Sequence, residues 1–310
     1  MKITAIALVS LVLPSLASSL LALDPGMLNF VSPAATSLAG VDMVRVQASP
    51  FGQYLMKQAG QHGANLDQIA SATGFDVRRD LQEVLIASSS PAASHQGLII
   101  ARGAFDQQRL LGMAKTAGLL STSYKGVTLL TPQQNTSSTD FEAAAFVAGY
   151  LVAGSRADVE GAIDRSSAKN SSSNGLTSRA LLASTRYDAW VVTSTAADLA
   201  QGLPGAGAQG IPLRGISSFA AGVQFGNQVD IGMEAETRST QDATSLADVL
   251  RFAAALGQSN QAAAQLGNLL STLTITTEGN FVRAALKMSQ ADLEKMLNGQ
   301  SARARRIASR

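Results

Sequence analysis

The sequence predicts an α+β fold: antiparallel sheets built from β-hairpins, helices packed on one face, and an internal duplication of that unit. Three observations carry the prediction. The first is the stretch from Phe219 to Ala235. Phe219, Ala221, Val223 and Phe225 alternate, Gly226-Asn227 interrupts, and Val229, Ile231, Met233 and Ala235 alternate again. Alternation puts one face of a strand pair in a core and the other in water. Gly-Asn between two such runs suits a two-residue turn with positive φ at the glycine. The second is that Leu246, Val249, Leu250, Ala253 and Leu256 then return at helical spacing, behind Ser239 and Thr240 as N-caps. The third is recurrence. Strand 41–46 with its helix matches strand 189–193 with its helix. Hairpin 84–101 with helix 106–117 matches hairpin 216–238 with helix 241–256, and hairpin 141–153 with helix 156–165 matches hairpin 272–288 with helix 290–297. Turns this short exclude a parallel nucleotide-binding sheet, whose crossovers need about a dozen residues or more.

Each element has its own local cause. Leu23 to Ala39 is irregular, with Pro25, Gly26 and Pro33. A strand is predicted over Val41 to Val46, and Ser49-Pro50 then starts a helix, Ser as cap and Pro at the first helical position. A second helix runs from Asn65 to a stop at Gly74. Strands at Val84 to Ala87 and Leu98 to Ala101 follow, and Asp106 caps a helix that Gly118 ends. Tyr124-Lys125-Gly126 turns into a strand at Val127 to Leu130, and Ala148-Gly149 joins strands Phe141 to Val147 and Tyr150 to Ala153. Ser155-Arg156-Ala157-Asp158 reads as a capping box. After a polar linker, a helix at Leu176 to Ser184 leads into a strand, Asp188 to Thr193, that holds the only tryptophan, Trp190. A short helix at Thr195 to Gln201 and a Gly/Pro-rich loop precede the hairpin at 216–238. An Ala/Gln helix follows Gly257, Glu278-Gly279-Asn280 turns the last hairpin, and Ser289 caps a terminal helix.

The resulting organisation is a signal peptide at 1–22, a first α+β half at 23–165, a linker and helix at 166–186, a second half at 187–298, and a basic disordered tail at 299–310. Met1-Lys2, an apolar run from Ile3 to Leu13, Pro14 and the small-residue exit Ser15-Leu16-Ala17 make a secretory signal, with Ala22 as a second cleavage position. The expected location is therefore the periplasm or the cell exterior. The alternative is an uncleaved membrane tether, since Ile3 to Leu23 carries no charge. Hydrophobic residues at 46% and charged residues at 15% support a substantial core. A net charge of +2 is too small for a nucleic-acid surface. Zero cysteines exclude disulfides, thiolate metal sites, Cys nucleophiles and a lipidated Cys.

Motifs with chemical meaning lack the context their chemistry needs. Gly205-Ala206-Gly207-Ala208-Gln209-Gly210 matches G-x-G-x-x-G, but Ile211-Pro212 follows where a phosphate-binding helix should begin. Ser166-Ser167-Ala168-Lys169 matches S-x-x-K within the most polar stretch of the chain, and Lys115-Thr116-Ala117-Gly118 echoes its partner on the wrong side. His62 and His95 sit in polar loops without a second ligand. Asp76, Arg78, Arg79 and Asp80 read as a self-paired surface turn, with anion binding as the alternative. Asp230, Glu234 and Glu236 read as a polar strand face, with acid–base catalysis as the alternative. Trp190, Tyr187 and Phe225 read as core or sheet-edge residues. Arg303, Arg305, Arg306 and Arg310 form a solvated end able to make weak contact with an anionic surface.

The segments Gly74-Phe75-Asp76-Val77-Arg78-Arg79-Asp80-Leu81, Tyr124-Lys125-Gly126-Val127, Leu151 to Asp164 and Tyr187-Asp188-Ala189-Trp190 resemble a family of secreted bacterial proteins of unknown function. The resemblance implies an exported, duplicated α+β protein and carries over no activity. No catalytic, cofactor-binding or metal-ligating residue is assigned, no cofactor is expected, and the partner is unknown. The expected function is a non-catalytic binding or structural role. The alternatives are a carrier or sensor of an apolar ligand between the halves, and a metal-independent carboxylate hydrolase.

Overall fold

The computed structural model describes residues 23–61, 66–89, 97–133, 142–168, 174–194, 215–259, 271–289 and 291–292. A 3-10 helix at Pro25–Phe30 precedes β1 (Ser37–Asp42), α1 (Met43–Ala48), α2 (Pro50–Gln61), α3 (Leu66–Thr73) and α4 (Val77–Asp80). Then come β2 (Leu81–Ser88), β3 (Leu98–Gly103), α5 (Gln107–Thr116), β4 (Leu120–Tyr124), β5 (Val127–Thr131), β6 (Ala143–Val147), β7 (Tyr150–Gly154), α6 (Arg156–Ala168) and α7 (Gly175–Arg186). The remaining elements are β8 (Ala189–Thr193), β9 (Ile216–Phe225), β10 (Gln228–Thr237), α8 (Thr240–Ser259), β11 (Thr274–Glu278) and β12 (Phe281–Ser289).

The described strands form one twelve-stranded sheet in the order β11-β12-β10-β9-β8-β1-β2-β3-β7-β6-β5-β4. Every pairing is antiparallel. The fold is therefore α+β with a large antiparallel sheet. Its centre is the β1–β8 pair, in which Ser37 opposes Thr193, Gly40 opposes Trp190 and Val41 opposes Ala189. Outward from that seam the order is β2, β3, β7, β6 on one side and β9, β10, β12, β11 on the other. The hairpin β5–β4 extends the first side only.

The helices lie on both faces of the sheet, not on one as expected. Leu38 and Gly40 of β1 share a face with Leu85, Trp190 and Val192. There the main core gathers Met27 and Phe30 of the 3-10 helix, Val159 and Ile163 of α6, and Ala180 and Ala183 of α7. On the opposite face Ala243, Leu246 and Ala247 of α8 pack on Phe219, Ala235 and Val282. Phe51 of α2 packs there with Val229 and Met288, flanked by Tyr54, Val223 and Phe225. The physical reason is composition. On the face that holds Asp230, Glu234 and Glu236 of β10, the small residues Ala220 and Gly222 of β9 and Gly232 of β10 leave apolar surface that Tyr187 covers, so both faces bury apolar area.

Other differences are local. The strand expected at 41–46 ends at Asp42, whose carboxylate accepts the Arg45 N–H (3.0 Å) and starts α1. Gly226 does not take positive φ. Phe225 opposes Val229 instead, and the Gly226 N–H donates to the Gln228 carbonyl (3.0 Å). Positive φ at both turn positions falls at Lys125-Gly126 (48° and 83°) and Ala148-Gly149 (50° and 89°), the hand that matches strand twist. Gly40 is fixed by close approach, because a side chain there would enter the Trp190 ring. Gly40→Ala is expected to lower stability by about 1–3 kcal/mol through overpacking, read from the denaturation midpoint of Trp190 fluorescence. Gly112→Ala, on α5 with open space around it, is expected to leave the midpoint unchanged or raise it.

Candidate functional site

The charged groups singled out in the sequence are held by local partners. Asp76 caps α4, accepting the backbone N–H of Arg78 (3.0 Å) and its Nε–H (2.9 Å). Arg78 reaches on to Asp67 (2.6 Å), and Arg79 binds Asp80 (2.8 Å), which also accepts the Asp76 N–H (2.8 Å). Arg78 and Arg79 thereby hold the carboxyls of Asp76 and Asp80 below their usual range. Asp230, Glu234 and Glu236 do not converge. Glu234 pairs with Arg283 (2.7 Å), Glu236 with Arg179 and Ser218, and Asp230 with Lys287 (3.6 Å). Burial pushes Glu236 up, but Arg179 and Ser218 outweigh it and hold its carboxyl below the usual range. Ser166 and Ser167 both donate to the Ile163 carbonyl within α6 (2.9 Å each).

Trp190 is buried over Gly40. The Tyr187 ring lies over Gly222 and Gly232, and Phe225 meets Phe51 at 5.4 Å between ring centroids. The signal segment, Lys169, His62, His95, Gly205 to Gly210 and the four tail arginines lie outside the described residues.

Two ionic knots were not legible in the sequence. Arg45 donates to Asp42 (2.9 Å), to the carbonyls of Ser184 and Tyr187 (2.6 and 3.0 Å), and lies 3.2 Å from Asp188. Asp188 is buried, accepts the Phe225 N–H (2.6 Å), and has its carboxyl pushed up by desolvation. The knot joins β1, α1, α7 and the start of β8. On the same face, Glu83 accepts the Asp24 N–H (3.2 Å) and pairs with Arg102 (3.2 Å). The Tyr150 hydroxyl donates to Asp24 (2.9 Å). Burial raises Glu83 and takes Tyr150 up to about 12. These ties fasten the 3-10 helix to the sheet. The nearest sequence signals were Asp24 ahead of Pro25 and the Tyr187-Asp188-Ala189-Trp190 motif, neither of which names a partner.

A different feature is an apolar band that is open only at its middle, since α8 packs over Ala221 and Met233 and α2 over Val223 and Ile231. On the sheet face that carries α2 and α8, the register lines up Ala153, Ile99, Ile86, Ala39, Val191, Ala221 and Met233 across seven strands. The next row holds Leu151, Ala101, Val84, Val41, Ala189, Val223 and Ile231. This apolar band crosses the β1–β8 seam, and at its middle Ile86 is 41% and Val191 37% exposed. Ala39, half-buried, lies between them. Exposed apolar side chains in a contiguous row mark contact surfaces more often than single ones do. A cavity of about 400 Å³ lies elsewhere, beside β12, and is lined by Gln228, Thr274, Lys287 and Asp292 among others.

The crystal form I structure of TP0453 is similar to this chain at a TM-score of 0.51 and 10% identity, covering 89% of this chain and 97% of that one. Its crystal form IV gives a TM-score of 0.49 and 11% identity, covering 87% and 95%. At such identity the likeness is one of fold. No protein-family model and no curated protein sequence matches the chain. Among the described residues no helix is long and apolar enough to cross a membrane.

Loss of one partner in the Glu83 knot is expected to be costly. Arg102→Met leaves a buried carboxylate without its cation, worth about 2–3 kcal/mol given that Arg102 is partly exposed. The pH dependence has a definite sign. Glu83 has its folded value raised above the ordinary 4.5, so folding favours the protonated form, and its stabilisation fades as pH climbs from 4.5 toward the raised value. The Arg102→Met penalty is therefore expected to be larger at pH 7 than at pH 4.5. Adding Glu83→Gln is expected to restore much of the loss, read from urea midpoints.

Proposed function

We propose that this is an exported protein that acts by binding and not by catalysis, and that the apolar band across the β1–β8 seam is its contact surface. The exposure of Ile86 and Val191 on either side of the half-buried Ala39 is the observation that carries the reading. Two further points support it. The carboxylates with the best claim to acid–base chemistry each face a cation of their own, and the knots around Asp188 and Glu83 tie segments together. The N-terminal sequence supports export to the periplasm or cell exterior.

Within this reading, an apolar ligand with a flexible chain suits this row better than a polar one. Isoleucine, alanine and valine side chains offer dispersion and desolvation but few hydrogen bonds. The basic tail remains a proposed weak contact for an anionic surface. The carboxylate-hydrolase alternative has less to stand on, since Asp230, Glu234 and Glu236 project separately toward Lys287, Arg283 and Arg179.

Val191→Lys and Ile86→Lys place a charge on this row. Each is expected to weaken binding of a single-chain fatty acid at least about tenfold, equal to about 1.4 kcal/mol, while thermal stability changes little. Native mass spectrometry of protein from the original host, alongside fluorescence titration, checks this. An empty protein, or titrations that the lysines leave unmoved, would remove the band from the account.

A further inference from the structure

We infer that export processing occurs after Ala17 and not after Ala22, so that Ser18 to Ala22 stays on the mature chain. The inference rests on the export reading above and deepens it by fixing the processing site. Its physical basis is Leu23. That residue is 2% exposed, and its backbone N–H donates 2.9 Å to the Ser184 hydroxyl in a buried bond. The Ser184 hydroxyl donates its own hydrogen bond to the Leu181 carbonyl (2.8 Å), so its oxygen offers Leu23 a neutral acceptor. The next amide, of Asp24, donates to Glu83, which also pairs with Arg102.

The site is therefore built for an amide: one proton, no charge, one acceptor. Cleavage after Ala22 would turn the Leu23 nitrogen into an α-ammonium, with three donors and a full positive charge in a buried place. Leaving such a charge unpaired is expensive, and the nearby carboxylate is already shared. Cleavage after Ala17 keeps Leu23 in mid-chain and its amide intact. The sequence agrees independently. A signal peptidase favours small residues at the cleavage position and two before it. Ala17 has Ser15 there, whereas Ala22 has Leu20.

The test is expression of the full chain in a bacterial host, followed by N-terminal sequencing and intact mass of the protein from the envelope fraction. Ser18 as the first residue is the expected result. Leu23 as the first residue of a folded product would overturn the inference while leaving export intact. Met1 retained would overturn it together with the export reading.

A second measurement does not depend on the host. Chains are prepared with Leu23 as the free N-terminus and with that amine acetylated. The free amine is expected to melt several degrees lower at pH 6. Burial lowers an amine's folded value below its ordinary value of about 8, so the penalty is full well below that value and vanishes above it. The gap is therefore expected to close by about pH 9. Equal melting at pH 6 would contradict the argument.

Discussion

The β1–β8 pairing is the constraint on which the rest of the structure depends. It joins strands so far apart in sequence that Ser37 and Thr193, bonded at 3.3 Å, are separated by 156 residues. Closing so long a loop costs entropy before any contact repays it, and the contacts at the seam are correspondingly dense. Trp190 covers Gly40, while Leu38 and Val192 are fully buried side by side. Arg45 then ties Asp42, at the end of β1, to Asp188, at the start of β8. Two groups of hairpins that would each have exposed an edge become one sheet.

That union sets the chemistry of the faces. A sheet so wide is covered in patches: the 3-10 helix, α6 and α7 on one side, α2 and α8 on the other. Charged residues are placed where connections meet the sheet. Asp24, Glu83, Arg102 and Tyr150 hold the N-terminal segment, and Arg179, Glu236 and Ser218 hold α7 over β9 and β10. In the middle of the second face, Ile86 and Val191 remain exposed. Apolar residues on both faces of central strands are a requirement of two-sided packing, and the binding surface proposed above arises where that requirement outruns the cover.

How much of this was legible follows from the range of each interaction. Hairpins and helices written in short-range periodicity, such as Phe219 to Ala235 and Leu246 to Leu256, were readable because alternation and helical spacing are local signals. The boundary at Asp42 was misread, because Val41, Val44 and Val46 look like a strand until the Asp42 cap is seen to turn the chain. β4 was missed because Leu120-Ser121-Thr122-Ser123-Tyr124 has no apolar alternation. It is an edge strand that gains its hydrogen bonds from β5 alone. The expectation of one covered face failed because Asp230, Glu234 and Glu236 of β10 read as a polar face, although Gly232 between them and Gly222 opposite let Tyr187 pack there. The candidate site was least legible of all, since a row made of Ala153, Ile99, Ile86, Ala39, Val191 and Ala221 exists only once the strand order is known.

The central claim is that the seam makes the two sets of hairpins a single cooperative body. Native-state hydrogen exchange tests it most directly, by comparing the opening free energies of amides in β1 and β2 with those in β8, β9 and β10. The account predicts that the slowest amides on both sides of the seam exchange through one common global opening and share one denaturant dependence. Amides of β8 to β10 that open at a separate, lower free energy while those of β1 and β2 stay protected would show two independent units, and would contradict it.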